Sequence, residues 1–203
     1  MLHYMQAGGV FMWPIFCLAI IALAIALEKI YYYSFISRDS TTKFKLELTN
    51  LIGNCDEDEV INFCKHYKNP LAKATIKSLN FSKNDCNLDK DELKYNIEVA
   101  IDDEISGFEK GSWVLGICVG AAPQLGLLGT IVGMIKSFGA LGELEGASVV
   151  ADGISQALYT TAFGLLVAIP VLVIHVVIGK KNDSLIKDLD RLEMLLIKRF
   201  KKQ

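Results

Sequence analysis

The sequence predicts an all-α integral membrane protein: three transmembrane helices, with the second and third extended into the cytoplasm, plus a small helical cytoplasmic region. Three stretches without Lys, Arg, Asp or Glu predict the spans, and they cover residues 1–27, 111–135 and 153–179. The chain is 52% hydrophobic, and much of that apolar content lies in these stretches. Because about 20 apolar residues cross the ~30 Å hydrocarbon core, each stretch is long enough for one span.

The positions of the basic residues predict the topology. Of 21 Lys and Arg residues, twelve lie between Lys29 and Lys110 and eight between Lys180 and Lys202. Only Lys136 lies between the second and third apolar stretches. Because basic residues stay on the cytoplasmic side during insertion, we expect a periplasmic N-terminus and a cytoplasmic C-terminus.

Seven segments follow from these two patterns. They are a short outer N-terminus (1–9), the first span (10–31), a cytoplasmic helical region (32–110), the second span (111–138), an outer periplasmic loop (139–152), the third span (153–179) and a cytoplasmic amphipathic helix (180–203). The first stretch lacks the basic opening of a signal peptide and ends in Glu28-Lys29, so it is predicted to be a retained span.

The cytoplasmic region shows the apolar period of short helices. One helical face is formed by Phe44, Leu48, Leu51 and Ile52. Asn69-Pro70 predicts a helix break, followed by a helix over residues 71–81.

Longer helices are expected on both sides of the outer loop. One continuous helix is predicted from about Asp89 to Phe138, because the apolar period holds without a break before Trp113. Beyond the third span, an apolar seam predicts an amphipathic helix that continues from that span. The seam consists of Leu185, Leu189, Leu192 and Leu196.

Small residues recur at helical spacing in the second and third spans. In the second span they are Ala122, Gly126, Gly129, Thr130, Gly133 and Ser137. In the third span they are Gly153, Ala157, Thr161, Gly164 and Ala168. Such faces either form a lumen or groove that accepts another helix, or pack tightly in an ordinary bundle. The hydroxyls of Thr130 and Thr161 either serve that shared surface or bond their own helix backbone.

The sequence contains no catalytic signature, no metal-ligand spacing and no cofactor-binding motif. The five cysteines are expected to be reduced thiols. His175, near the cytoplasmic end of the third span, is either a proton relay or a packed histidine. Asp102-Asp103-Glu104 is interpreted as a solvated helix face. No span interior carries an acid, so a proton-driven machine built on this chain needs a partner that supplies one.

Two span motifs resemble the MotA/TolQ/ExbB proton-channel family. The second-span motif reads Ala122-Pro123-x-Leu125-Gly126-Leu127-Leu128-Gly129-Thr130-x-x-Gly133-Met134. The third-span motif reads Ala157-Leu158-x-Thr160-Thr161-Ala162-x-Gly164-Leu165-x-Val167-Ala168-Ile169-Pro170. The first span, with Trp13-Pro14-Ile15 and later Leu27-Glu28-Lys29, is similar to that of short ExbB proteins.

The resemblance implies a homopentamer whose second and third spans line a central pore. The pore would enclose an ExbD-like dimer of single-span proteins, each with a membrane aspartate, and the motor would act on a TonB-like protein. Thr130, Thr161 and Gln156 would line the proton pathway, although many relatives have a glutamate at the position of Gln156. Helix packing and pore shape would depend on Pro123, Gly126, Gly129, Gly133, Gly164, Ala168 and Pro170.

The expected function is therefore an ExbB-like subunit of an inner-membrane motor that energises TonB-dependent transport across the outer membrane. It would contact membrane lipids and no nucleic acid. The alternatives are a TolQ-like subunit of an envelope-constriction motor and a passive membrane scaffold without ion flux.

Overall fold

The computed structural model describes residues 9–39, 42–84, 90–139 and 146–200, and every regular element in these ranges is an α-helix. This confirms the predicted all-α class. The helices are α1 (Met12–Asp39), α2 (Thr42–Asn54), α3 (Glu57–Cys64), α4 (Pro70–Asn84), α5 (Lys90–Glu109), α6 (Ser112–Gly139) and α7 (Gly146–Phe200).

Within the described residues, three stretches are long and apolar enough to cross a membrane, which agrees with the three predicted spans. They are Met12–Ser34, Asp91–Gly139 and Val150–Phe200. α7 is one unbroken helix, so the amphipathic segment after residue 179 continues from the third span, as predicted. The predicted start at Asp89 lies outside the described residues.

The prediction of one continuous helix from Asp89 to Phe138 is wrong. α5 ends at Glu109 and α6 begins at Ser112. Between them Gly111 has a φ of 83°, a left-handed conformation that glycine adopts without the steric cost of a Cβ. A glycine of this kind commonly ends a helix. The apolar residues keep their helical spacing in the sequence across this break, so the spacing alone does not reveal it.

The helices divide into two compact units, which we describe separately. The span unit comprises residues 9–29 and 111–178. Its core contains Ile15 of α1, Ala122 of α6, and Val167 and Ala168 of α7. The Cys118 thiol on α6 approaches the Leu18 carbonyl of α1 at 3.8 Å. α1 therefore packs against both other spans through small and branched apolar side chains.

The helical unit comprises residues 30–110 and 179–200. The predicted α7 seam is buried here, and so is most of the predicted α2 face, although Leu51 is only half-buried. Polar contacts also join α2 to α7. Lys45 pairs with Asp188, and the Arg199 guanidinium donates to the carbonyls of Ile52 and Cys55, each at 2.8 Å. Arg199 thus satisfies carbonyls that the end of α2 leaves free.

The acidic run on α5 is divided between solvent and an ion pair. Asp102 and Asp103 are exposed, as a solvated face predicts, although Asp103 also lies 3.6 Å from the Lys77 ammonium of α4. The Glu104 side chain is only 14% exposed, and it lies 2.8 Å from Lys77 of α4. The hydrogen bond to Glu104 raises the pKa of Lys77 above its ordinary value. This pair therefore links α4 to α5.

The helix break at Asn69-Pro70 is confirmed. α3 ends at Cys64 and α4 begins at Pro70, which needs no hydrogen-bond acceptor in a first turn. The fully buried Asn69 side chain accepts a hydrogen bond from the Ala72 backbone N–H at 2.7 Å. Asn69 therefore caps α4, which at Pro70–Asn84 is longer than the predicted 71–81.

We expect Asn69→Ala to destabilise the protein by about 1 kcal/mol, because loss of an Asn cap typically costs that much. The measurement is thermal unfolding of the detergent-solubilised protein. Asn62→Ala, at an exposed position on α3, is the matched control and should leave the unfolding temperature almost unchanged. Equal unfolding temperatures for the two variants would contradict the capping role.

Candidate functional site

α6 and α7 meet along their small-residue faces in an antiparallel seam. As the chain advances along α6, its partners move back along α7. The pairs in order are Ala122 with Gly164, Gly126 with Thr161, Gly129 with Thr160, Gly133 with Ala157, and Ser137 with Gly153. The two small-residue stripes found in the sequence therefore contact each other.

The seam is close enough that backbone touches backbone. A Cβ added at Gly126 would lie 2.9 Å from the Thr161 Cα, and one at Gly164 would lie 2.6 Å from the Ala122 carbonyl oxygen. A Cβ added at Gly133 would lie 2.8 Å from the Ala157 Cβ. Real side chains do not tolerate such distances without a shift of the helices. Of the two alternatives left by the sequence, these contacts support the tightly packed bundle.

Thr161 joins the two helices by a hydrogen bond. Its hydroxyl donates to the Gly126 carbonyl on α6 at 2.9 Å. The Thr130 hydroxyl donates instead to Leu127 in its own helix at 2.7 Å. Thr130 therefore bonds its own helix backbone, whereas Thr161 bonds the neighbouring helix. Both side chains are half-buried, so each keeps part of its surface available to another molecule.

Thr160 was not among the predicted site residues, yet it lies at the centre of the seam. Its side chain is 2% exposed, and it fills the space opposite Gly129, where a Cβ would lie 2.6 Å from the Thr160 hydroxyl oxygen. The hydroxyl donates to Ala157 in its own helix at 2.6 Å. The adjacent Thr160-Thr161 pair could have indicated this role. Consecutive helical residues point about 100° apart, so the two threonines cannot share one direction on α7.

The side chain of Gln156 lies near the start of α1. Its amide packs against Gly9, where an added Cβ would lie 2.8 Å from the Gln156 Nε2. Gly9 has a φ of 70°, which also favours glycine. Gln156 lines an open cleft of about 470 Å³ with Lys136, Ser137, Asp152, Gly153, Ser155 and Tyr159. This end of the α6–α7 pair therefore presents a cation, an anion and neutral polar groups.

The other predicted site residues have different surroundings. Ala168 is buried in the core beside Ile15. Pro123 is half-buried inside α6, and Pro170 is exposed inside α7. Each proline removes one backbone donor from a helix that otherwise continues. The structure thus brings the glycines and Thr161 into one seam, whereas Gln156 lines the cleft at the Ser137–Gly153 end of that seam and Pro170 is exposed on α7.

The sequence of residues 65–191 matches the family described as the MotA/TolQ/ExbB proton channel family. The matched part covers α4, α5 and α6 completely and most of α7, including the whole seam. This chain belongs to that proton channel family. The resemblance found in the two span motifs is therefore confirmed.

Relatives of this family member carry names of the ExbB type. An ExbB homolog for biopolymer transport from Methanothermobacter thermautotrophicus is 29% identical over 194 residues, which cover 96% of this chain and 67% of the relative. An ExbB-like biopolymer transport protein from Synechocystis is 29% identical over 188 residues, covering 88% and 70%. The Vibrio cholerae protein exbB1 is 42% identical, but over 66 residues that cover 31% and 29%.

Within this family member, the described residues contain no group of three His, Cys, Asp or Glu side chains placed to hold a metal ion. Cys17, Cys55, Cys64 and Cys118 are free thiols, and Cys86 lies outside the described residues. Burial raises the pKa of the Cys64 thiol to about 11. A thiol that stays protonated at neutral pH is a poor nucleophile, which fits a packing role.

Proposed function

We propose that this chain is the ExbB-like subunit of an inner-membrane motor driven by the proton gradient. With an ExbD-like partner it energises TonB-dependent transport across the outer membrane. The observation that carries the proposal is the family match over residues 65–191, which includes both span motifs. The names of the relatives, which refer to biopolymer transport, favour this role over a TolQ-like role in envelope constriction.

In the proposed assembly, five copies surround a dimer of single-span partners, and Thr130 and Thr161 face the partner. The Thr161 hydroxyl already gives its proton to Gly126, so its free lone pairs can accept a hydrogen bond. That arrangement suits a protonated carboxylic acid, which donates one. The partner's membrane aspartate supplies the titrating group that the spans of this chain lack. The work done per proton is set by the field, about 2.3 kcal/mol per charge per 100 mV.

The proposed orientation has the N-terminus in the periplasm and the C-terminus in the cytoplasm. It rests on the twelve basic residues before the second span and the eight after the third. The cleft at Gln156 then opens to the periplasm, where protons enter. Gln156 cannot titrate, so it serves that entry by hydrogen bonding with Lys136, Asp152 and water as its polar neighbours.

A passive membrane scaffold without ion flux is the second candidate, because the tightly packed seam would serve it equally well. Native mass spectrometry of the complex, extracted gently from its own membrane, separates the two. We expect five copies of this chain with two copies of a single-span partner that carries an aspartate. A homo-oligomer that never retains such a partner would support the scaffold and contradict the motor.

A further inference from the structure

Two buried polar atoms at one end of the span unit have no hydrogen-bond partner. They are Ser112 Oγ, in the first turn of α6, and His175 Nδ1, on α7. In the described part of the chain only the Ser78 hydroxyl shares this condition, and it belongs to the helical unit. Leaving a buried polar group unpaired is energetically costly, so such atoms normally bind a water.

These two side chains lie within about one helical turn of each other on the α6–α7 pair. The His175 ring lies against Gly116, where an added Cβ would be 3.5 Å from Cε1 and 3.6 Å from Nε2. Ser112 precedes Gly116 by four residues, so it lies one turn away on the same face of α6. A serine hydroxyl and an imidazole nitrogen are the kind of polar partners that hold a water in an otherwise apolar site.

We propose that Ser112 and His175 bind water at the cytoplasmic end of the second and third spans, and that His175 passes protons from this water to the cytoplasm. The inference rests on the proposed function and its orientation. In that orientation the third span ends on the cytoplasmic side, where His175 lies five residues before Lys180. It adds an exit step that uses this chain's own residues. The partner's aspartate remains the group that titrates within the pore.

The proton balance of this step is simple. A neutral imidazole with its proton on Nε2 accepts a proton at Nδ1 from the bound water, which has received one from the pore. The resulting imidazolium releases the Nε2 proton to cytoplasmic water. The neutral ring then carries its proton on Nδ1, and exchange through water restores the first tautomer. No bond other than N–H and O–H bonds forms or breaks.

Few other titratable groups belong to the neighbouring spans. On α6 the Cys118 thiol is directed to the Leu18 carbonyl. On α1 Glu28 is exposed and Lys29 is buried with an interaction of its own. The side chain that lies against α6 at Gly116 is the His175 imidazole.

Water access is tested first, by a measurement that does not need proton flux. In a background with the native cysteines replaced, Ser112→Cys is treated with a charged methanethiosulfonate reagent from the cytoplasmic side. Because only a hydrated thiol ionises and reacts, we expect labelling. Ile117→Cys, on the exposed apolar surface of α6, is the matched control and should stay unlabelled in the bilayer. An unlabelled Ser112→Cys would overturn the proposed water site.

Proton transfer is tested in the intact complex reconstituted into liposomes. His175→Asn keeps a polar atom near the position of Nδ1 but cannot titrate, so we expect proton flux to fall by about tenfold or more. His66→Asn, at an exposed histidine of the helical unit, should retain full flux. Full flux in His175→Asn would overturn the relay. A wild-type complex that conducts no protons would contradict the proposed function instead, and Ser112→Cys labelling would still report the water site.

Discussion

Gly164→Ala is expected to lower the stability of the span unit by about 1–3 kcal/mol, the usual cost of overpacking a well-packed core. The added methyl carbon would lie 2.6 Å from the Ala122 carbonyl oxygen and 3.4 Å from the Gly126 Cα. Because these neighbours are backbone atoms, no side chain can move aside to relieve the contact. α6 and α7 must separate, which also weakens the contacts on either side of Gly164.

Gly126→Ala, on the facing side of the seam in α6, should lower stability in the same way. A Cβ at Gly126 would lie 2.9 Å from the Thr161 Cα and 3.0 Å from the Thr160 carbonyl oxygen. Gly120→Ala, also inside α6, is the matched control, since nothing lies within 4 Å of its added Cβ. Alanine is the better helix former by roughly 0.5–1 kcal/mol in soluble helices, so this control should be neutral or slightly stabilising.

Thermal unfolding in detergent, followed by circular dichroism, measures all three variants. We expect Gly164→Ala and Gly126→Ala to unfold at clearly lower temperatures than Gly120→Ala and the unaltered chain. If all three unfold together, the close approach of α6 and α7 is not what holds the span unit together, and the seam would have to be reassigned to a looser contact.

The sequence was sufficient to predict the spans because charge and length decide membrane insertion. It also marked the two faces that form the seam, since only small residues recur at helical spacing there. It did not show that these faces meet each other, because a small-residue stripe can pack closely against a helix of the same chain or of another molecule. That choice depends on the antiparallel register, which pairs Gly133 with Ala157 and Gly126 with Thr161.

The two helix breaks and the direction of Gln156 differ in how far the sequence could predict them. Asn69-Pro70 predicted a helix break, because proline cannot continue a helix, whereas the cap that Asn69 forms on α4 was not predicted. The break at Gly111 was missed, because an apolar period continues across a single left-handed residue. The direction of Gln156 depends on its contact with Gly9, more than 140 residues earlier in the chain, and no local pattern reports such a contact.

The seam holds a residue of the proposed proton pathway in position. The hydroxyl of Thr161 is fixed by the Gly126 carbonyl, so its position depends on the same close approach that the glycines allow. A shift of α6 against α7 would therefore change both the stability of the span unit and the geometry offered to a partner's acid. Variants at Thr161 separate these two effects, because they alter the hydroxyl and leave the glycines in place.

Thr161→Val is expected to abolish proton flux in liposomes that contain the reconstituted complex. Valine has nearly the same shape as threonine but lacks the hydroxyl, so it removes the bond to Gly126 and the acceptor proposed for the partner's aspartate. The lost interhelical bond should cost only about 0.6 kcal/mol, the average found for such bonds in membranes. The complex should therefore still assemble, as native mass spectrometry can check.

Two further variants define what the hydroxyl contributes. Thr161→Ser restores it and should recover most of the flux. Thr160→Val removes a hydroxyl one residue away, which bonds only to Ala157 in its own helix, and should conduct protons normally. If Thr161→Val conducts as well as Thr160→Val while both assemble, the Thr161 hydroxyl has no part in proton transfer, and its bond to Gly126 serves helix packing alone.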